Sequence, residues 1–177
     1  YPTKDTPYHG IFIYEQITAL KRQYPKLKFD IYNIRGNKGK WEYVRSVFSI
    51  YKKTKKNNYD IIHVHYGISG LFLLNPLQKL SVPVILTLHG GDILSEQGKN
   101  IQVFLTKKIL KHVNHVITLN DRMDSIAKRH CKKSSIIPCS VNTDFFTPPL
   151  SKEYIGNKSK ISEVQNIMKL QQQIMKW

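Results

Sequence analysis

A short segment after an apolar run carries the residues best suited to chemistry in this sequence. The run is Val84–Leu88, and the chain then continues as His89-Gly90-Gly91-Asp92. A histidine and a carboxylate can move protons or hydrogen-bond a ligand, and two glycines let the backbone approach that ligand closely. The same residues also suit a tight turn that an aspartate caps. The pattern therefore predicts either a ligand site or a turn at this position.

Two further histidines and a glycine lie where a ligand could be met. His63 and His65 alternate in a strand-like run, so their side chains are expected on one face. Such a pair fits zinc, but no Cys, Asp or Glu stands at a usable spacing to complete a ligand set. We therefore expect no metal site, with His63 in the core and His65 at the mouth. His9-Gly10 opens a predicted helix, whose free N–H groups could meet a phosphate or sugar oxygen.

The elements that must position these residues alternate between short strand-like runs and longer helical patterns. This order predicts an α/β domain, a Rossmann-like parallel sheet with helices on both faces. Ligands bind beyond the carboxyl ends of such strands, so the segments after each strand are the candidates for a site. Asn120-Asp121 follows one strand and supplies an N-cap for the next helix. The predicted strands are Lys28–Asn33, Ile61–His65, Val84–Leu88, His115–Leu119 and Ser135–Ile137; the predicted helices are Ile11–Gln23, Trp41–Thr54, Leu71–Leu80, Ile101–Val113 and Arg122–His130.

The composition changes near residue 148, which predicts a boundary there. Residues 1–148 are expected to form the α/β domain, and residues 149–177 a hinge and a C-terminal amphipathic helix. Pro148-Pro149 marks the hinge, because prolines interrupt regular structure. Residues 161–177 repeat apolar side chains along one side, and this helix would either dock on the domain or form a loose tail.

The charge balance narrows the classes of partner. The 177 residues include 28 Lys+Arg against 12 Asp+Glu, a net charge of +16. Such a charge attracts nucleic acid, anionic lipid and nucleotide-linked substrates, although lysines near helix ends are often only a solvated face. No nucleic-acid-binding motif accompanies them, so we expect no specific nucleic-acid partner and favour an anionic membrane surface. Cys131 and Cys139 fit neither a disulfide framework nor a zinc site, which predicts a cytoplasmic protein, free or at the inner face of the cell membrane.

Several segments together resemble the N-terminal domain of glycosyltransferase family 4, one half of a GT-B fold. The matching stretches run from Tyr1-Pro2 and Gly10 through Tyr59–His65, Pro83–Asp92 and Val113–Asn120. The last match is Ile136–Pro148, which is similar to the family's exit from this domain, written I-P-N-G-V-D-x-x-x-F-x-P. Cys139-Ser140 and Asn142 depart from that pattern. The family's first strand and its donor-binding half have no counterpart in these residues.

The resemblance implies retaining transfer of a sugar from a nucleotide-sugar donor to a saccharide or lipid-linked acceptor, with neither metal nor other cofactor. It places His89 and Asp92 as catalytic residues, His89 beside the transferred sugar. Gly10 would approach the donor phosphate or the acceptor, and Gly90 and Gly91 would shape the same wall. His65 and Asn120 would line the cleft at the ends of neighbouring strands. Without the donor-binding half, these residues are expected to be inactive.

Two other functions fit the same residues. One is a nucleotide-sugar 2-epimerase of the same two-domain architecture, which would need no acceptor. The other is a noncatalytic basic module that holds a membrane or a protein partner through its lysines.

Overall fold

The structure, a computed structural model, describes Pro2 and residues 10–76, 80–94 and 100–139. These residues belong to two compact units, the first ending at Ile34 and the second beginning at Arg35. The predicted hinge at Pro148-Pro149, the C-terminal helix and the family's exit segment beyond Cys139 lie outside the described residues.

The first unit contains α1, Ile11–Gln23, at the predicted bounds. Gly10 precedes it in the left-handed region, with φ 64°, and its carbonyl accepts hydrogen bonds from the N–H groups of Ile13 and Tyr14 at 3.0 and 3.2 Å. A glycine takes this backbone conformation without steric cost. The strand predicted at Lys28–Asn33 is wrong, because residues 27–35 are irregular and belong to no hydrogen-bonded ladder in the described chain. An apolar run forms a strand only where a neighbouring strand pairs with it.

The second unit is a parallel sheet of four strands in the order β1-β2-β3-β4. The predicted α/β class with a Rossmann-like parallel sheet is confirmed, and the ends of these four strands fall within one or two residues of those expected. The strands are β1 Ile62–His65, β2 Val84–Thr87, β3 His115–Thr118 and β4 Ser134–Ile136; the helices are α2 Trp41–Lys56, α3 Asn100–Ile109 and α4 Asp121–Ala127; the 3₁₀ helices are Gly36–Lys38, Gly67–Leu74 and Leu110–His112.

The core lies against one face of this sheet. Val64, Leu86 and Val116 pair across β1, β2 and β3 and are all buried, so alternate positions of the strands point to the same apolar layer. The helices contribute apolar residues to this layer, and Val47 and Ile50 of α2 pack against its edge; the buried members from the other elements are Phe72, Ile109, Leu110, Met123 and Ala127. Burial of this layer fixes the register of the sheet and therefore the edge at which its strands end.

The connection between β1 and β2 differs from the prediction. An α-helix was expected at Leu71–Leu80, and the chain instead forms the 3₁₀ helix Gly67–Leu74. Two physical causes act together. Pro76 has no N–H group and disfavours a helical residue before it, and Gly67 and Gly70 bring the backbone close to α3. A Cβ atom at Gly67 would overlap the side chain of Thr106, and one at Gly70 would lie 2.8 Å from Ile109.

We predict that Gly67→Ala destabilises the fold by about 1–3 kcal/mol, the usual cost of overpacking. The added methyl group would meet Thr106, which is itself fully buried on α3. Chemical denaturation of the chain followed by circular dichroism measures this change.

Thr106→Ala provides the matched control, because Oγ1 of Thr106 is buried without a hydrogen-bond partner among the described residues. Alanine removes that hydroxyl and one buried methyl group, which should cost about 1 kcal/mol, and the double variant should recover part of the stability lost in Gly67→Ala. Additive effects in the double variant would show that Thr106 is not the source of the strain.

Candidate functional site

The carboxyl ends of β1 and β2 bring two of the predicted site residues into contact. His65 ends β1 opposite Thr87, and His89 follows β2 two residues later. Nδ1 of His65 lies 3.3 Å from Nε2 of His89 in a hydrogen bond, one neutral ring donating to the other. Both side chains are half-buried. His65 and His89 thus meet at the carboxyl edge of the sheet, and their roles in a ligand site stay predictions.

A buried carboxylate holds the segment that carries His89. Asp92 is fully buried and accepts hydrogen bonds from the backbone N–H of Gly67 at 2.8 Å and from that of His89 at 3.0 Å. Gly90 begins a turn with φ 95°, and its carbonyl accepts from the N–H of Ile93 and Leu94. The His89–Asp92 segment is therefore a capped turn. A ligand site is compatible with this turn, because the turn leaves the side chain of His89 half-buried at the sheet edge. The observed contacts of Asp92 are with the backbone, and its catalytic role stays a prediction.

His63 departs from its expected place. Its side chain is exposed, where the sequence indicated a core residue. The cause is the alternation of the strand, since Val64 faces the apolar layer and His63 points to the opposite face. There Nε2 of His63 hydrogen-bonds Oγ1 of Thr87 at 2.8 Å, and its ring centroid lies 4.2 Å from that of His65. In the described ranges, no group of three or more His, Cys, Asp or Glu side chains is arranged to hold a metal ion.

The remaining predicted site residues are Asn120, Gly90, Gly91 and Gly10. Asn120 follows β3 on the same sheet edge, and its side chain caps α4 by accepting from the N–H of Met123 at 3.0 Å. Gly90 and Gly91 are half-buried beside His89. Gly10 belongs to the first unit, and its contact with a ligand stays a prediction.

Sequence reasoning missed two residues that follow β1. Tyr66 has φ 75°, the one positive φ of a non-glycine residue among those described, and its ring stacks on His89 at a centroid distance of 6.5 Å. Such strained backbone is often found at functional sites. Gly67 supplies the N–H group that Asp92 binds. Their position in the sequence could have identified them, because an aromatic residue and a glycine directly follow a strand at its carboxyl end.

Electrostatics keep the two histidines neutral. Burial lowers the pKa of His65 far below its ordinary value of 6.5, with His63 and His89 adding to the effect. Burial also lowers the pKa of His89, against the opposing influence of Asp92. For Asp92, burial raises the pKa, and the N–H groups of Gly67 and His89 act in the opposite direction. A neutral imidazole donates from one nitrogen and accepts at the other, which suits hydrogen bonds to hydroxyl groups.

We predict that acid weakens the fold through His63, His65 and His89. The pKa of each is lowered on folding from 6.5, so the unfolded chain takes up protons first. The stability they contribute is complete above that value and is lost as the pH falls below it. The free energy of unfolding should drop by about 1–2 kcal/mol between pH 7 and pH 5, as measured by urea denaturation.

His65→Asn keeps a polar atom near the Nδ1 position and removes the titration, so its stability should depend less on pH than that of the wild type. His112→Asn, an exposed position on the second unit, serves as the control and should keep the wild-type slope. The raised pKa of Asp92 acts in the opposite sense in every variant and cancels in the comparison. Equal slopes for His65→Asn and wild type would contradict the assignment.

The parallel sheet, with the histidine pair at its carboxyl edge, defines an α/β domain. The family model for Glycosyltransferase Family 4 matches residues 8–145, most of the chain, and the protein belongs to that family. The resemblance read from the motifs is confirmed, and the chain is a glycosyltransferase domain. In the described residues, no helix has both the length and the apolar character needed to cross a membrane.

Two known proteins are similar to part of this chain. The chain is 28% identical over 123 residues to UDP-Gal:alpha-D-GlcNAc-diphosphoundecaprenol alpha-1,3-galactosyltransferase of Escherichia coli, covering 65% of this chain and 32% of that protein. The solved structure of sucrose-phosphate synthase from Thermosynechococcus elongatus matches with a TM-score of 0.49 and 23% identity, covering 61% of this chain and 30% of that one. The chain thus spans about a third of the length of each relative.

Proposed function

We propose that this chain is the acceptor-side half of a retaining glycosyltransferase that moves a hexosyl group from a nucleotide-sugar to a saccharide or lipid-linked acceptor. The observation that carries the proposal is the hydrogen-bonded pair of His65 and His89 at the carboxyl ends of β1 and β2, in a chain of this family. In open parallel sheets that edge is where ligands bind.

His89 is the residue assigned to the transferred sugar. It is half-buried, neutral and held by its backbone N–H on Asp92, so its ring can hydrogen-bond a sugar hydroxyl from a fixed position. Gly90 and Gly91 leave room for the backbone to approach the ligand. His65 orients the His89 ring through their shared hydrogen bond. Gly10 is assigned to the donor phosphate or the acceptor, and Asn120 to the lining of the cleft.

The reaction is proposed to use neither a metal nor another cofactor. In retaining transfer the departing diphosphate needs positive charge, which side chains and a helix N-terminus can provide. We assign that task to a donor-binding half, and we expect the residues of this chain alone to be inactive. The galactosyltransferase relative acts, by its name, on a diphosphoundecaprenol-linked sugar. A similar lipid-linked acceptor at the inner face of the cell membrane is proposed for this protein.

The test is an incubation of the longest form of the protein with radiolabelled nucleotide-sugars, with and without undecaprenyl-diphosphate-linked sugars. Acceptor-dependent transfer of label to the lipid phase, with the anomeric configuration retained, is the expected result. Conversion of the nucleotide-sugar without any acceptor would favour the epimerase instead. If neither product forms, the function that remains is that of the noncatalytic module.

A further inference from the structure

One side of α2 is exposed and carries both apolar and basic residues. Trp41, Val44 and Phe48 are 81%, 41% and 63% exposed, at a spacing of three to four residues that places them in one stripe. The same stripe continues toward the end of the helix with four exposed basic residues: Arg45, Lys52, Lys55 and Lys56. The opposite side of α2 contributes Val47 and Ile50 to the core. The exposed aromatic residues are therefore not needed for the packing of this helix on the sheet.

The helix α3 repeats this arrangement. Ile101 and Phe104 are 79% and 58% exposed, and Lys108 lies over the Phe104 ring at 5.4 Å from its centroid. Lys111, directly after the helix, is also exposed. The buried side of α3 is formed by Val103, Thr106 and Ile109. Two helices of one unit thus expose an apolar start and a basic end.

The two exposed stripes lie on the same side of the sheet and run in the same direction. Both helices contact the 3₁₀ helix Gly67–Leu74, which packs on β1 and β2. The helix α3 connects two parallel strands and must run back from the carboxyl edge to the amino edge. The helix α2 leads through residues 57–61 into the start of β1, so its basic end also lies toward the amino edge. The aromatic ends consequently lie toward the edge that carries His65 and His89.

We propose that these two stripes form one surface that docks on an anionic lipid bilayer, with Trp41, Phe48, Ile101 and Phe104 entering the interface. Helices that lie in a membrane interface combine Trp, Phe and Leu with Lys and Arg in this manner. The charge of this surface is complementary to an anionic bilayer. Glu42 is the one acidic residue in the sequences of α2 and α3, and the protein carries a net charge of +16. Lysines near an anionic surface are attracted over about a Debye length. Docking would bring the carboxyl edge of the sheet toward the membrane, where a lipid-linked acceptor lies.

This inference deepens the proposed membrane partner but does not depend on catalysis, and its test is separate. The 177-residue chain with Trp177→Phe retains Trp41 as its single tryptophan. We expect its emission to shift to the blue on vesicles of phosphatidylglycerol and phosphatidylcholine, and not on vesicles of phosphatidylcholine alone. Salt should weaken the binding.

The variants separate the surface from general charge. Lys52→Gln with Lys55→Gln should weaken binding to anionic vesicles about tenfold or more, since each lysine near the surface contributes appreciably. Lys132→Gln with Lys133→Gln removes the same charge from exposed positions before β4 and should change it far less. Trp41→Gln with Phe104→Gln should abolish the part of binding that survives high salt. Equal losses in both lysine pairs, or an unshifted Trp41 emission, would overturn the proposal.

Sedimentation of the same variants in solution tests whether a second copy of the chain, and not lipid, occupies this surface. A wild-type dimer that Trp41→Gln with Phe104→Gln converts to monomer would show that a second copy, and not lipid, covers this surface. Vesicle binding without transferase activity would contradict only the proposed function. Transferase activity without vesicle binding would contradict only the docking surface.

Discussion

Asp92→Ala is expected to destabilise the protein by about 2–5 kcal/mol. The carboxylate is fully buried and accepts from the backbone N–H groups of Gly67 and His89. Alanine would leave one buried and one half-buried donor without this partner, and a buried one costs about 1–3 kcal/mol. The free energy of unfolding from urea denaturation measures the loss.

Asp92→Asn separates the hydrogen bonds from side-chain volume. The amide keeps one acceptor oxygen, and at the Oδ2 position that oxygen accepts from Gly67 at 2.8 Å and from His89 at 3.3 Å, so the destabilisation should be about half that of alanine or less. Asp121→Ala removes an exposed carboxylate from the start of α4 and serves as the control for charge. If Asp92→Ala unfolds at the same urea concentration as wild type, the carboxylate does not hold the turn after β2.

His89→Ala is expected to lower turnover at least about a hundredfold in a form of the protein that carries a donor-binding half, with little change in stability. The change in stability should be small because the side chain of His89 is half-buried at the sheet edge and lies outside the apolar core. A positioned hydrogen-bonding or proton-transferring group contributes about 10²–10⁴ in rate. Initial rates of acceptor glycosylation at saturating donor measure the effect.

His115→Ala is the matched control, because it removes a half-buried histidine from the start of β3, where Nε2 bonds Oγ of Ser135 at 3.0 Å. That position lies at the opposite edge of the sheet and should leave turnover near the wild-type value. Urea denaturation of both variants shows whether either has lost its fold. Turnover of His89→Ala equal to that of wild type would remove His89 from the site.

The strands of the sheet could be predicted because each is a short Ile- and Val-rich run followed by residues that end it. Val84–Thr87 is buried at every position, which is why its apolar run was unambiguous. The cap at Asn120 was also predictable, since an asparagine side chain can satisfy an N–H of the first helical turn. Local chemistry was sufficient in these cases.

The predictions that were wrong or incomplete concern contacts between residues distant in the sequence. The 3₁₀ helix Gly67–Leu74 follows from its close approach to Thr106 and Ile109, which no local pattern reveals. Lys28–Asn33 has strand composition, but pairing requires a neighbour. The turn capped by Asp92 was predicted, but its second bond was not, because the partner Gly67 lies 25 residues earlier in the chain. Candidate site residues are therefore easier to find from sequence than the contacts that hold them in place.

The hydrogen bond from Gly67 to Asp92 restricts any exchange of the loops that it joins. The connection after β1 and the turn after β2 share one carboxylate, so neither can be transplanted from a homologue without its counterpart. A chimera that imports a new turn lacking Asp92 would leave the N–H group of Gly67 without its acceptor, and the loop would lose its conformation. Libraries built on this scaffold should exchange residues 66–67 and 89–92 together and vary the sequence around them.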